Sequence, residues 1–429
     1  MLDIKFIREN PEKVKTNLKK RFQEGKIKLL ESLIKKDEQW RKLKKQLDDS
    51  RSRRNKVSIE INLLKKEGKS TAQLLKEVKS LPDKIKDMEE KTDSLQSEIH
   101  ELMMQIPNMI HASVPVGKDN TKNVVRDQIG KIPKFNFEVK NHAELGELLN
   151  VLDFDSSAAI SGNGFYVMKG KLALLNQALI EYARDFMVSR GYTYIEPPLM
   201  IKKEVLQGVY SNSEIAQMSY KIEDNDLYLI ATSEHPLIGM FINKIIKEED
   251  LPVKLTAYSM CFRKEIGSHG IDEKGLYRTH QFNKQEMVVL CHPNDSYKYY
   301  DELLNLSKEL FKNLELPIRE LECCSGDLAD LKAKSADLEA WSPRQKKYFE
   351  ITSVTNMESA QARRLNIKFT DKKGNKDFVH TLNNTAIATS RALVAIMENY
   401  QTKEGEIEIP KVLQKYCGFK RIEKNKKSI

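Results

Sequence analysis

The chain has 429 residues, 31% of them charged, and a formal net charge of +10, which is too long for one ordinary core and suits two or three domains. Residues 1–110 hold 27 Lys+Arg against 19 Asp+Glu and residues 411–429 hold 7 against 1, so a middle of net −4 lies between two basic ends. That distribution suggests a polyanion held by the extremities while the centre works on something small, and apolar runs well short of ~18 residues exclude a membrane-spanning helix.

Residues 29–106 read as two long helices separated by KKEGKSTA. In the second, Leu74, Val78, Leu81, Ile85, Met88, Thr92, Leu95, Ile99, Leu102 and Ile106 keep a 4,3 spacing, a heptad seam. The first has a looser version, Leu33, Trp40, Leu43, Leu47, Val57, Ile61 and Leu64, interrupted by Ser50 and Arg54. With Gly68 at the turn, the two seams should close as an antiparallel hairpin, each helix of about 35 residues reaching on the order of 50 Å. Pro82 either kinks the second helix or marks its first turn. Such a hairpin is a spacer or dimerisation element with a solvated charged face, or it grips RNA. The crowding of Arg41, Lys42, Lys44, Lys45, Arg51, Arg53, Arg54 and Lys56 favours phosphate contacts.

Further on, an amphipathic helix carrying Leu174, Ala178, Tyr182 and Phe186 breaks at Gly191 into a strand ending on Pro198, where no ladder donor is needed. A Thr232-Ser233-Glu234 triplet follows. The densest signal is FRKEIGSHGIDEKGLYRTHQF, residues 262–282, a polar glycine-rich loop between a strand at 255–261 and its antiparallel partner from Phe282. An arginine fork can take an α-phosphate, a glutamate can receive an adenine amino group and an aromatic ring can stack on the base. Taken alone, Arg263-x-Glu265 reads equally as a surface ion pair contributing about 0–1 kcal/mol. The last segment, HTLNNTAIATSRALVAIMENYQ at 380–401, is a strand of small residues running into an apolar helix opened by Arg391. Beyond it lies a basic tail, Lys411, Lys415, Lys420, Arg421, Lys424, Lys426 and Lys427, read either as steering a polyanion toward the centre or as a partly disordered surface segment. Cys261, Cys291, Cys323, Cys324 and Cys417 show no repeated C-x-x-C spacing and no signal peptide precedes them. Structural thiols in a reducing cytosol are expected rather than a zinc site.

The segments 190–200, 262–282 and 380–401, with Thr232-Ser233-Glu234, Gly275 to Phe282, Glu286, Glu350 in FEIT and Thr381-Leu382-Asn383, resemble the class II aminoacyl-tRNA synthetases, and among them the seryl-tRNA synthetases. Where the generic third motif has spaced glycines, this chain has Ala386, Ala388 and Ser390, small enough for close backbone approach. The resemblance implies an α+β fold, an antiparallel sheet flanked by helices, over residues 113–429, including the tail from about 411. It assigns residues 1–112 to a tRNA-binding coiled-coil arm that grips the long variable arm of tRNA, the anticodon going unread. It also implies a cytoplasmic homodimer joined around Pro198.

The resemblance further implies the chemistry. A carboxylate attacks ATP without a general base, being already ionised at neutral pH, so catalysis is positioning plus electrostatics. Arg263 would hold the α-phosphate and the attacking carboxylate, and Arg391 the γ-phosphate. Glu265 would receive the adenine amino group and Phe282 stack on the ring, with Lys264, Arg278, Thr279 and Ile351 completing the ATP site. Mg2+ would sit on Glu350 with the hydroxyl of Thr352 or Ser353. The L-serine pocket would comprise Thr232, Ser233, Glu234, Glu286, Asn383 and Thr385, a polar lining suited to demanding a hydroxyl. Arg51, Arg53 and Arg54 would meet the tRNA, tRNA(Ser) and, by the family's habit, tRNA(Sec). Two rivals remain open: an enzyme activating another amino acid or loading a carrier protein, and a catalytically dead RNA-binding or coiled-coil scaffold.

Overall fold

The computed structural model describes residues 1–265 and 275–424, Ser213's side chain excepted. The loop centre at 266–274 and the tail residues Lys426 and Lys427 lie outside the described residues. The chain divides into two compact units, Met1–Pro107 and Asn108–Ile429.

In the first unit, α1 (Ile4–Glu9) and α2 (Pro11–Lys20) precede two long helices, α3 (Ile27–Lys66) and α4 (Ala72–Gln105). Arg51 reaches Glu89 at 2.7 Å and Arg53 reaches Glu77 at 2.7 Å, while Lys36 pairs with Glu98. Partners climb one helix as they descend the other, so the pair is antiparallel. The seam buries Leu33, Leu47, Val57 and Ile61 against Leu81, Ile85, Met88, Thr92 and Ile99, because apolar side chains at heptad spacing share one face. Near its end the seam drifts: Met103 is buried while Leu102 is half-exposed, as 3.6 residues per turn slip against a seven-residue repeat. Pro82 lies inside α4, ten residues past its start, and therefore does not mark its first turn. Asp37 occupies an α3 seam position and is buried, where Arg8 grips it with two bonds of 2.9 Å and Arg41 adds one of 3.0 Å.

The second unit is built on one sheet, of eight strands among the described residues: β1 (Val124–Ile129), β2 (Thr193–Ile195), β3 (Val253–Phe262), β4 (Gln281–Cys291), β5 (Ile318–Glu322), β6 (Lys334–Ser342), β7 (Lys347–Asn356) and β8 (His380–Ala388). They run in the spatial order β1-β5-β6-β7-β8-β4-β3-β2. Every pair is antiparallel except the short edge strand β2, which lies parallel to β3 and ends before the two prolines that could not donate to a ladder. Both faces are covered, an α+β architecture, and β4 shows it by alternation. Met287, Val289 and Cys291 enter a large core, while Val288 and Leu290 enter a second core on the opposite face.

The large core is closed by α6 (Gly170–Val188), α8 (Ser296–Asn313) and α9 (Thr389–Asn399), with α5 (His142–Leu148) at its margin; α7 (Glu234–Gly239) belongs to the other face. The buried stripe of α6 is Leu172, Leu175, Leu179, Tyr182 and Phe186, and Leu174, expected on that stripe, is 55% exposed. The tail also differs from expectation. Lys411–Cys417 is a helix, α10, that buries Leu413, and Arg421–Ile422 pairs with Ile407–Glu408. Arg421 bonds Glu406 and Glu408 at 2.9 and 3.1 Å. Two apolar anchors, Leu413 and Ile422, hold residues 411–424 against the core, which charge counting did not detect.

Candidate active site

The expected strand pair is present as a rigid hairpin, β3 and β4 in continuous antiparallel register from Val253↔Leu290 to Phe262↔Gln281. Arg263 leaves the end of β3, donates its backbone N–H to His280 O at 2.9 Å and carries its guanidinium 5.1 Å from the centroid of the Phe282 ring. Glu265 sits at φ +42°, where a non-glycine residue stores strain of order 1 kcal/mol or more. Its carboxylate accepts from Arg278 at 3.3 Å.

Two β-bulges re-aim the facing strands. The β6–β7 ladder slips between Leu338 and Glu339, so Glu350 faces Glu339, Thr352 faces Leu338 and Ile351 is the extra residue. Strict alternation would turn Ile351 away; the bulge lets Glu350, Ile351 and Thr352 all border one cleft. β8 slips against β4 between Thr385 and Ile387, which leaves Thr385 and Ala388 on the same cleft, continued by Ser390 and Arg391 of α9. Arg263, Glu265, Arg278, Thr279 and Phe282 complete the cleft together with Tyr277 and Lys284.

Most of its charges are paired. Arg391 touches both the Glu350 carboxylate and its backbone carbonyl at 3.1 Å, with its guanidinium 5.0 Å from the centroid of the Tyr277 ring. Burial works to raise the Glu350 carboxyl, but Arg391 outweighs it and holds the group below its usual range. On the next strand, burial and then the charge of Glu350 push Asp337 up to about 6.

At the inner end, Lys284 and Glu286 meet at 2.6 Å, almost wholly buried. Glu286 also accepts from Asn383 at 3.1 Å and from the Thr385 hydroxyl at 3.4 Å. Glu234, fully desolvated beside Glu286, is pushed up to about 7 by burial first and by that like charge second. It accepts from Gln361 at 3.1 Å, and its own amide donates to the Thr232 hydroxyl at 3.2 Å. Three of the candidate residues point elsewhere. Lys264 donates to Ala216 O at 3.0 Å, Ser233 donates to Ala257 O at 3.3 Å, and the Ser353 hydroxyl lies 3.4 Å from that of Ser335. Sequence reasoning missed Tyr277, Lys284 and Gln361. Lys284 carried a usable signal, since Phe282, Lys284 and Glu286 are alternate residues of one strand and must share a face.

A bulged antiparallel sheet that sets Arg263, Phe282, Glu350 and Arg391 around one cleft defines a class II aminoacyl-tRNA synthetase, and residues 220–400 match the tRNA synthetase class II core domain (G, H, P, S and T). Residues 1–110 match the seryl-tRNA synthetase N-terminal domain. The serine–tRNA ligase of Methanospirillum hungatei is 45% identical over 424 residues, covering 98% of this chain and all of that one. The crystal structure of seryl-tRNA synthetase from Pyrococcus horikoshii complexed with ATP superposes with a TM-score of 0.94 at 41% identity, over 98% of this chain and 99% of the other. Cytoplasmic serine–tRNA ligase from Naegleria fowleri in complex with AMP gives 0.89 at 32% identity, over 100% and 99%. The chain belongs to the seryl-tRNA synthetase family. No helix among the described residues is long and apolar enough to cross a membrane.

Proposed function

We propose that the chain ligates L-serine to tRNA(Ser) through a seryl-adenylate, and serylates tRNA(Sec) as well, working as a cytoplasmic homodimer. In the first step a serine carboxylate oxygen bonds to the α-phosphorus of MgATP and the bond to the β-phosphate breaks, releasing pyrophosphate. In the second, the 2′- or 3′-hydroxyl of the terminal adenosine attacks the activated carbonyl, AMP departs and the hydroxyl proton leaves to water.

The observation that carries this reading is the cleft itself, which two guanidiniums, Arg263 and Arg391, and an aromatic ring, Phe282, line together. Arg263 serves the α-phosphate and the attacking carboxylate; Arg391 serves the γ-phosphate. Phosphate oxygens arriving at Arg391 would replace its bond to Glu350, freeing a hard carboxylate oxygen for the Mg2+ that the nucleotide brings, with the Thr352 hydroxyl beside it. Glu265 and Phe282 take the adenine. Preorganised charge of this kind acts without reorganising during the step. Lys284, Glu286, Asn383, Thr385, Thr232 and Glu234 form the serine end: two carboxylates suit an ammonium, and the hydroxyls and amide suit a substrate hydroxyl whose absence would leave buried partners unpaired. The basic α3 segment with Arg51, Arg53 and Arg54 takes the tRNA.

The test is pyrophosphate exchange with each of the twenty amino acids, on the wild type and on Arg263→Ala. Exchange with serine alone, falling at least about a hundredfold in the variant at unchanged thermal midpoint, is expected. Exchange with another amino acid moves the function to a sister enzyme, and none with any of them points to a scaffold protein.

A further inference from the structure

His142, the first residue of α5, is buried, and no part of the chemistry above uses it. Its Nε2 lies 3.1 Å from the backbone nitrogen of Leu276. An amide nitrogen can only donate, so Nε2 is the bare acceptor and the ring proton sits on Nδ1. Nδ1 faces Glu398 at 3.5 Å, and the other oxygen of that carboxylate takes the Ser342 hydroxyl. The ring fills space that only a glycine leaves: at Gly275, φ +122°, a Cβ would stand 2.1 Å from Nε2.

The residues next to Leu276 are those of the cleft. Tyr277 lies against Arg391, and Arg278 bonds Glu265. Glu398 and Arg391 are seven residues apart on α9, two turns, and therefore on one face. One helix thus carries the arginine and, through Glu398 and His142, the tether of the bent segment packed against that arginine.

We propose that His142 is a positioning residue for amino-acid activation, its neutral ring tying the Gly275–Arg278 segment to α9 so that Tyr277, Arg278 and Arg391 hold a common geometry around ATP. This rests on reading the cleft as the ATP site. The test compares full-length wild type, His142→Gln, His142→Asn and Gly275→Ala in serine-dependent pyrophosphate exchange with ATP titrated, alongside thermal midpoints. Glutamine carries its amide oxygen out to the place of Nε2 and can still accept from Leu276; asparagine reaches only the Glu398 side. His142→Asn should raise KM for ATP about tenfold, the weight of one missing hydrogen bond, and His142→Gln should stay within about threefold of wild type. Gly275→Ala, which crowds the intact ring from the loop side, should resemble the asparagine variant. Equal impairment in the glutamine and asparagine variants, or a shift in thermal midpoint alone with KM unchanged, overturns the proposal, as does a wild-type KM in Gly275→Ala should the His142 variants not fold. Absence of serine-dependent exchange in the wild type sinks instead the reading of the cleft, and this proposal with it.

Discussion

Glu234 shows how much a single residue's surroundings decide. In water its carboxyl would be ionised at neutral pH; inside the chain, burial and then Glu286 lift it to about 7, so in the proposed serine pocket it is half protonated near neutrality. The ionised form attracts an ammonium, hence KM for L-serine should fall as pH rises from 6 to 8, and Glu234→Gln should flatten that dependence. The folding linkage runs the other way. The folded chain keeps this proton between about 4.5 and 7 while the unfolded chain has lost it, so Glu234 stabilises less and less across that window as pH rises. Titration of KM in exchange assays checks the first statement; a pH-insensitive KM would remove Glu234 from the ammonium's neighbourhood. The neighbouring His235 behaves oppositely, for burial and then the charges of Lys284 and Arg263 push it down to about 3, and its ring remains neutral throughout.

Among the elements, the helical hairpin is the one whose stability comes from a single stripe. Ile85 packs with Leu47, Met88 and Leu43 in a small cluster midway along it, and nothing on the outer faces can replace that packing. Ile85→Ala should cost about 2–5 kcal/mol through reduced burial and the cavity left behind. Circular dichroism would register it as an earlier loss of helix, whereas serine-dependent exchange at 25 °C should be unaltered because the cleft draws all its lining from the second unit. Equal loss of exchange and helix would mean that the two units do not fold independently. The bulges in β7 and β8 are the corresponding devices in the sheet: each adds one residue to a strand and so turns onto the cleft side chains that alternation would have divided between faces.

For the whole molecule, the question is how charge is distributed between two tasks. The basic crowd on α3 is largely matched: Arg41 by Asp37, Lys42 by Glu38, Lys44 by Asp48, Arg51 by Glu89 and Arg53 by Glu77. Lys45, Arg54 and Lys56 make no ion pair among the described residues. Exposed pairs are worth about 0–1 kcal/mol each, so matched arginines can still turn to phosphates. Replacing Arg51, Arg53 and Arg54 together by glutamine should raise KM for tRNA and flatten its dependence on salt by about 0.7–0.9 in log–log slope for each phosphate that the variant no longer neutralises. Pyrophosphate exchange, which needs no tRNA, should continue. Aminoacylation indistinguishable from wild type across salt concentrations would take the tRNA away from this stretch.

Local pattern was enough for much of this. The heptad stripe, the strand pair around 262–282 and the strand-to-helix step at Arg391 were all legible, since each rests on periodicity or on a residue type fixed by its immediate neighbours. Resemblance supplied the candidate residues, and geometry sorted them: Arg263, Glu265, Phe282, Glu350, Thr385 and Arg391 converge, while Lys264, Ser233 and Ser353 turn to backbone or hydroxyl partners elsewhere. Only the tertiary structure placed Gln361 on Glu234 and His142 on Leu276, hydrogen bonds spanning 127 and 134 residues. It alone also seated residues 411–424 on the core through Leu413 and Ile422. Burial, pairing across the sheet and one-residue slips in register depend on chain segments far apart in sequence, and no local pattern contains them.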